Sequence, residues 1–406
     1  MKGKKGMLKL ALVLSMVFFF VASAQTALCK PPYKVGLVDS FSGFMAYMGT
    51  HCRDAFFLLV DEINASGGID GHKLEVVTYD NESDVSKGIL AFKKLVETDQ
   101  VLIVAGNSHS GAAIACSAIA EKSGVPHIAG NSSRWSIAKP EKWKLPGDPT
   151  EVYDFTIKLR VDSQSHLMAM YGFAKKIGTK KLAWMSAGSA YGIAAKEIFL
   201  ATYKELGFEL AALEEYGPND SNMTSQLTKI KGKDFDAIFL YSAEPAGALV
   251  CKQARELAIT KPIIADSPMV STSIMDTLGK YLAGLYVCVQ ASDVPDLSIL
   301  PQRLKPMAPV IEKVRQGIMK RHNYRADGWS AQGYDRAMLM VDALRRAAPD
   351  PSNLKVARKK IRDALVTAKG IVGAYGMGDI SNYHEFPCPV TMIKIVEGEK
   401  FELVGD

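Results

Sequence analysis

Apolar and polar positions along this chain alternate between two periods. Short apolar runs with the length of buried strands fall at 34–38, 74–79, 101–105 and 126–128. Between them lie stretches whose apolar residues recur every three or four positions, at 50–65, 85–98 and 110–123. Phe56, Leu59, Val60 and Ile63 fall on one helical face that Gly67 and Gly68 terminate, and Ile89, Phe92, Leu95 and Val96 fall on another. The rhythm restarts with strands at 182–185, 208–215, 237–241, 262–265 and 284–289, interleaved with helices at 191–206, 222–231 and 245–258. Helices follow at 309–321, 331–348 and 354–367. Two closing strands, 390–396 and 401–404, flank a turn and read as a hairpin.

Strands that alternate with helices predict parallel sheets covered on both faces. Two such series, separated by the polar stretch 131–163, predict an α/β chain of two doubly wound parallel-sheet lobes. The strand-poor tail is expected to complete these lobes rather than build a third. That assigns 33–155 plus 288–372 to the first lobe and 156–287 plus 373–406 to the second. A length of 406 residues suits two domains, and a core of that size needs no metal or disulfide to be stable.

The first 24 residues read differently. Lys2, Lys4, Lys5 and Lys9 precede an apolar run from 10 to 21 and the small residues Ala22, Ser23 and Ala24, the pattern of a signal peptide cleaved near Ala24. Those four lysines carry most of the net charge of +6, so the processed chain is left near +2. No basic patch argues for nucleic acid. The six cysteines (29, 52, 116, 251, 288 and 388) are scattered with no C-x-x-C, and free buried thiols are expected.

The sequence offers little chemistry for an enzyme. Its seven histidines make no metal-ligand pair, and no phosphate-binding glycine motif follows a strand. Gly106-Asn107-Ser108-His109-Ser110 misses the nucleophile-elbow pattern at its last position. A secreted hydrolase using Ser108 or Ser110 is the enzymatic rival. Asp80 to Asp84 imitates a calcium loop but is expected to be a polar turn opening a helix. No cofactor is expected. What remains is a set of polar loops at strand ends, where open α/β sheets hold ligands. Ser110 stands at a helix N-terminus that favours an anion, and Gly130-Asn131-Ser132-Ser133 is the next such loop.

The segments KVGLVDSFSGFMAYMG (34–49), VDEINASGGIDGHKLEVVTYD (60–80) and EKSGVPHIAGNSS (121–133) resemble the leucine/isoleucine/valine-binding proteins, type I periplasmic receptors of ABC importers. The resemblance extends through Ala190-Tyr191-Gly192 to 392–404. It implies a hinge, an interlobe cleft, a periplasmic monomer and an ABC permease as partner. Carried over by position, Ser110 and Ser133 match hydroxyls that hold an amino acid's carboxylate and ammonium. Asn131 and Ser132 would lend backbone groups, Tyr191 would cover the ligand, and Tyr47 and Met48 would line its side-chain pocket. The family's paired cysteines align with Ser83 and His109, so that disulfide is not expected. The usual acidic partner of the ammonium aligns with Ser267, leaving Asp266 or Glu244 as substitutes. Failing those, the ligand would be a carboxylate or amide without an α-amino group. A sensory receptor is the alternative role for the same fold.

Overall fold

The computed structural model describes residues 30–138, 150–242, 246–396 and 400–405. Residues 1–24, read above as a signal peptide, together with Cys29 and Glu244 lie outside the described residues.

The first sheet has five parallel strands: β1 (Lys30–Asp39), β2 (His72–Asp80), β3 (Val104–Gly106), β4 (His127–Ala129) and β5 (Thr156–Lys158). They lie in the order β2-β1-β3-β4-β5. Helices α1 (Ala46–Ala65), α2 (Val85–Glu97) and α3 (Ser110–Ser123) connect the first four. The second sheet has seven strands. Its parallel members are β6 (Lys181–Ala187), β7 (Glu209–Tyr216), β8 (Ala237–Tyr241), β9 (Ile263–Ala265) and β10 (Tyr286–Gln290). The closing hairpin, β13 (Val390–Ile395) and β14 (Phe401–Gly405), adds to β10 antiparallel. A two-stranded ribbon, β11 (Ile371–Val372) with β12 (Met377–Gly378), lies between.

Apolar side chains cover both faces of each sheet. Phe92, Leu95, Val101 and Val125 close one face of the first sheet, while Phe56, Leu59, Val60 and Leu344 pack on the other. Trp184, Tyr171, Phe199 and Phe239 stack on an outer face of the second. α10 (Gly328–Ala347) comes late in the chain yet packs on α1 in the first lobe, with α9 (Ala308–His322) and α11 (Leu354–Val366) beside it. The chain therefore passes between the sheets three times, after β5, after β10 and before β13.

Two elements escaped the sequence reading. Thr156–Lys158, inside the stretch 131–163 read as polar, adds a fifth strand to the first sheet, and α4 (Ser163–Lys176), which starts where that stretch ends, opens the second lobe. The sheets put the first crossing after Lys158. β5 escaped notice because it has three residues and ends on a buried lysine. Lys158 Nζ is satisfied by Glu385, 3.2 Å away, and by the Arg160 carbonyl at 2.6 Å. Glu385 comes from the third crossing, where Lys158 also exchanges backbone hydrogen bonds with His384 and Phe386. The Asp80–Asp84 turn does open a helix: Asp84 accepts from Lys87 N at 2.8 Å and caps α2.

A buried ion pair ties down the strand ends under the cleft. Arg336 of α10 donates to Asp39 Oδ2 at 2.6 Å, and both side chains are fully buried. Ser108 N and Oγ donate to the same carboxylate, and Arg336 also reaches Ser108 Oγ, Gln332 Oε1 and the Gly130 carbonyl. The ends of β1, β3 and β4 are thus gathered on one guanidinium. Space there is exhausted: a Cβ on Gly130 would lie 1.7 Å from Arg336 Nη2. One on Gly106, at φ +138°, would lie 1.9 Å from the Val38 carbonyl oxygen.

Candidate functional site

The carboxyl ends of the two sheets face each other, and the loops leaving them form a cleft. From the first lobe come Phe44 and Met45 after β1, Ser108, His109 and Ser110 after β3, Ser132 after β4, and Arg160 after β5. Trp329 joins them from the first turn of α10, and Ser189, Ala190 and Tyr191 reach in from the second lobe after β6. Together they enclose a cavity of about 40 Å³. A smaller cavity adjoins through Arg160 and Trp329, lined also by Ser267, Ser271, Gln290, Asp293 and Tyr375.

Local chemistry explains why each group points inward. α3 begins at Ser110, and its preceding residue gives no side-chain cap, so the first-turn N–H groups remain directed at the cavity. α5 (Ala190–Thr202) is capped by Ser189, whose hydroxyl accepts from Gly192 N. Asp327 caps α10 by accepting from Trp329 N and Ser330 N, which places the indole over the cleft. Arg160 Nε donates to Ser132 Oγ at 2.7 Å, and its guanidinium lies 3.9 Å from the Trp329 ring centroid. Arg160 is only 5% exposed. Its terminal nitrogens carry no hydrogen bond, and no carboxylate lies within 4 Å of it, among the described residues.

The residues expected from sequence are spread unevenly over this geometry. Ser110, Ser132 and Tyr191 line the main cavity. Ser132 does so with its side chain, through Arg160. Ser133 and Asn131 are buried beside it and line neither cavity. The Ser133 hydroxyl accepts from Trp135 N, and the Asn131 amide donates to the Ser133 carbonyl. Met48 packs with Met45, Cys52 and Trp329 behind the wall. Tyr47 bridges the lobes, its hydroxyl bonded to Thr272 of the second lobe and to Asp327 Oδ2. Asp266 is wholly buried behind Tyr191, accepting its phenolic hydrogen at 2.5 Å on Oδ2 and Ser242 N at 3.2 Å on Oδ1. Burial pushes the Asp266 carboxyl up to about 7, against the pull of those hydrogen bonds. Ser267, where the resemblance would place an acid, lines the smaller cavity.

Arg160 and Trp329 were not foreseen. The one available signal for Arg160 was a cation in the alternating run 155–161, whose Phe155, Ile157, Leu159 and Val161 are apolar. For Trp329 it was a large aromatic two residues after a capping aspartate. Ser108, one of the two hydrolase candidates with Ser110, has its hydroxyl engaged by Asp39 and Arg336. Among the described residues, no group of histidine, cysteine and acidic side chains is arranged to hold a metal, and no helix is long and apolar enough to cross a membrane. Cys52, Cys116, Cys251, Cys288 and Cys388 are unpaired.

Comparison with known proteins gives the same architecture. The family model described as periplasmic binding protein matches residues 32–400. The Leu/Ile/Val-binding protein BraC3 of Rhizobium johnstonii is 26% identical over 286 residues, 70% of this chain and 72% of that one. An extracellular ligand-binding receptor from Rhodopseudomonas palustris superposes with a TM-score of 0.80 at 22% identity, covering 92% of this chain and 99% of that one. The branched-chain amino acid transporter substrate-binding protein LivJ of Streptococcus pneumoniae, solved with isoleucine, does so at 0.74 and 24%, covering 92% and 100%. With two parallel-sheet lobes facing across a cleft and a family match spanning nearly its whole length, this chain belongs to the periplasmic binding protein family.

Proposed function

We propose that the chain is an extracytoplasmic receptor that carries a small carboxylate ligand to an ABC permease, and that it catalyses no reaction. The observation supporting this reading is the meeting of both lobes at one cavity. Ser110, Ser132 and Arg160 supply hydroxyl and cationic donors from one side, and Ser189 and Tyr191 come from the other. A ligand touching both walls favours the closed arrangement by the difference in its affinity for the two states. The permease then reads the closed shape. The names of its relatives make an amino acid the first ligand to test and a plain carboxylate the second. The basic, apolar and small residues of 1–24 support export to the periplasm. The two lobes expected from sequence, 33–155 with 288–372 and 156–287 with 373–406, are proposed here with β5 and Arg160 moved to the first and β10 kept whole in the second. The receptor is proposed to act as a monomer, with no nucleic-acid partner.

Mass spectrometry of the purified protein under native conditions, followed by titration of whatever co-purifies, tests the reading. The expected result is a small acid that raises the melting temperature, because a ligand bound only by the folded state stabilises it by RT ln(1 + [L]/Kd). Small-angle scattering is expected to show a smaller radius of gyration with ligand. Turnover of ester or amide substrates by the pure protein would replace the receptor reading with an enzymatic one.

A further inference from the structure

We infer that Arg160 anchors the ligand's carboxylate and that the cleft selects a carboxylate without an ammonium group, an apolar monocarboxylate of net charge −1. The inference rests on the receptor reading above and narrows its ligand class.

The fixed charges and dipoles around the main cavity have one sign. Arg160 lines it, and among the described residues no aspartate or glutamate does. Two helices of 14 and 13 residues, α3 and α5, begin on it at Ser110 and Ala190, so their positive ends converge there. Helix ends alone would leave the ligand's charge open. The second observation is Arg160 itself, a residue only 5% exposed, with both terminal nitrogens of its guanidinium lacking a protein acceptor among the described residues. A guanidinium is always charged, and its planar fork matches a carboxylate edge to edge. Stacking on Trp329 and the Nε bond to Ser132 fix that fork, which lowers the ordering cost of binding. Beside the polar Ser108, His109, Ser110, Ser132 and Ser189, the lining presents apolar surface from Phe44, Met45, Ala190, the Tyr191 ring and the Trp329 ring.

An α-ammonium would find no comparable partner among the described residues. Asp266 lines neither cavity and spends its oxygens on Tyr191 and Ser242. Asp293 does line the smaller cavity, but it accepts backbone N–H groups from Gly328 and Gln290 on its two oxygens. Burial, with Asp327 nearby, pushes its carboxyl up to about 7. An ammonium placed here would stand beside a guanidinium and two helix N-termini, all repelling it in a dry cleft.

Calorimetry with two matched pairs decides the matter: 3-phenylpropanoate against L-phenylalanine, and 4-methylpentanoate against L-leucine. Each pair differs only in the ammonium group. At least one ammonium-free acid is expected to bind 10-fold or more tightly than its amino acid. Arg160→Gln is expected to cost at least 100-fold in that affinity, and Arg160→Lys, which keeps the charge but loses the fork, about 10-fold. Thermal melts confirm that each variant is folded, and if the glutamine variant is not, the lysine variant carries the test. Tighter binding of either amino acid than of its partner acid overturns the selectivity while leaving a carboxylate receptor standing. Undiminished affinity in a folded Arg160 variant overturns the anchor. Failure of all four compounds to bind overturns this inference, while a different small acid that co-purifies and raises the melting temperature leaves the receptor reading standing.

Discussion

Two buried arginines in the first lobe face opposite circumstances. Arg336 is fully buried, paired with Asp39 at 2.6 Å, and satisfied further by Ser108, Gln332 and Gly130. Arg160 is nearly as buried, yet only its Nε finds an acceptor, Ser132. Removing a guanidinium from water is costly, and a protein recovers that cost with a carboxylate or leaves it to be recovered by something else. The paired arginine is scaffold, because its partners are the strand ends on which the cleft stands. The unpaired one points to the ligand. The same division separates two serines on one loop. Ser108 is bound into the Asp39–Arg336 network, while Ser110 faces the cavity.

The largest expected effect breaks the paired side. Arg336→Ala leaves Asp39 buried without its counter-charge and is expected to destabilise the fold by about 3–5 kcal/mol. Denaturant melts check this, and a loss below about 1 kcal/mol would remove the distinction between the two arginines. The serines give a double dissociation at smaller scale. Ser108→Ala is expected to cost about 1–3 kcal/mol of stability, since it removes one partner from a buried network. Ser110→Ala is expected to leave the melt nearly unchanged and weaken ligand binding roughly 10- to 100-fold, as loss of a hydrogen bond to a charged group does. Equal stability losses in both variants would show Ser110 to be scaffold as well.

Arg160→Met sharpens the comparison from the other side. Replacing an unpaired buried charge with an apolar side chain of similar length is expected to leave the ligand-free protein within about 1 kcal/mol of the wild type, or slightly more stable. The opposing losses are the Ser132 hydrogen bond and the stacking on Trp329. A destabilisation of several kcal/mol would place Arg160 with Arg336 among the structural cations.

The fold was far more legible in the sequence than the site, and the reason is physical. Strands such as Ala237–Tyr241 and helices such as Val85–Glu97 announce themselves because burial demands an apolar period, and a period is visible without coordinates. Thr156–Lys158 broke that rule, since Lys158 is buried by a partner 227 positions away in sequence and not by its own hydrophobicity. Site residues have no period. Ser110 was legible because a strand–polar–helix junction marks a helix N-terminus. Which hydroxyl of the 131–133 loop faces the cavity was not legible, because it depends on Arg160 crossing from the next strand to meet Ser132 rather than Ser133. Trp329 was hidden in the same way, being brought to the cleft by packing of α10 on α1.

The smallest expected effect concerns Asp266, the buried acid of the opposite wall, and it is read as a difference between two proteins. Tyr191, Tyr241, Ser242, Cys288 and Arg160 surround this carboxyl, and burial raises it from 3.8 to about 7. Below about pH 4 the folded and unfolded chains both hold its proton. Between about 4 and 7 the unfolded chain has released it while the folded chain keeps it, so this group subtracts stability progressively as pH rises. Above about 7 both are ionised and the penalty is constant. Asparagine does not titrate, so the melting temperature of the wild type minus that of Asp266→Asn is expected to fall between pH 5 and pH 8 and then level off. Two buried histidines work the other way in the same range. His166, held down to about 3 by burial and by Arg160, and His127, held to about 4 by burial, make the fold gain stability as pH rises from about 4 toward 6.5. Both are present in wild type and variant, so they cancel in the difference, which the wild-type curve alone would obscure. The expected change is a few degrees, given roughly 2–4 °C per kcal/mol for domains of 150–250 residues. A difference that stays flat from pH 5 to 8 would mean that Asp266 is ionised throughout. The contrast between a cationic cleft wall and a neutral one would then be lost.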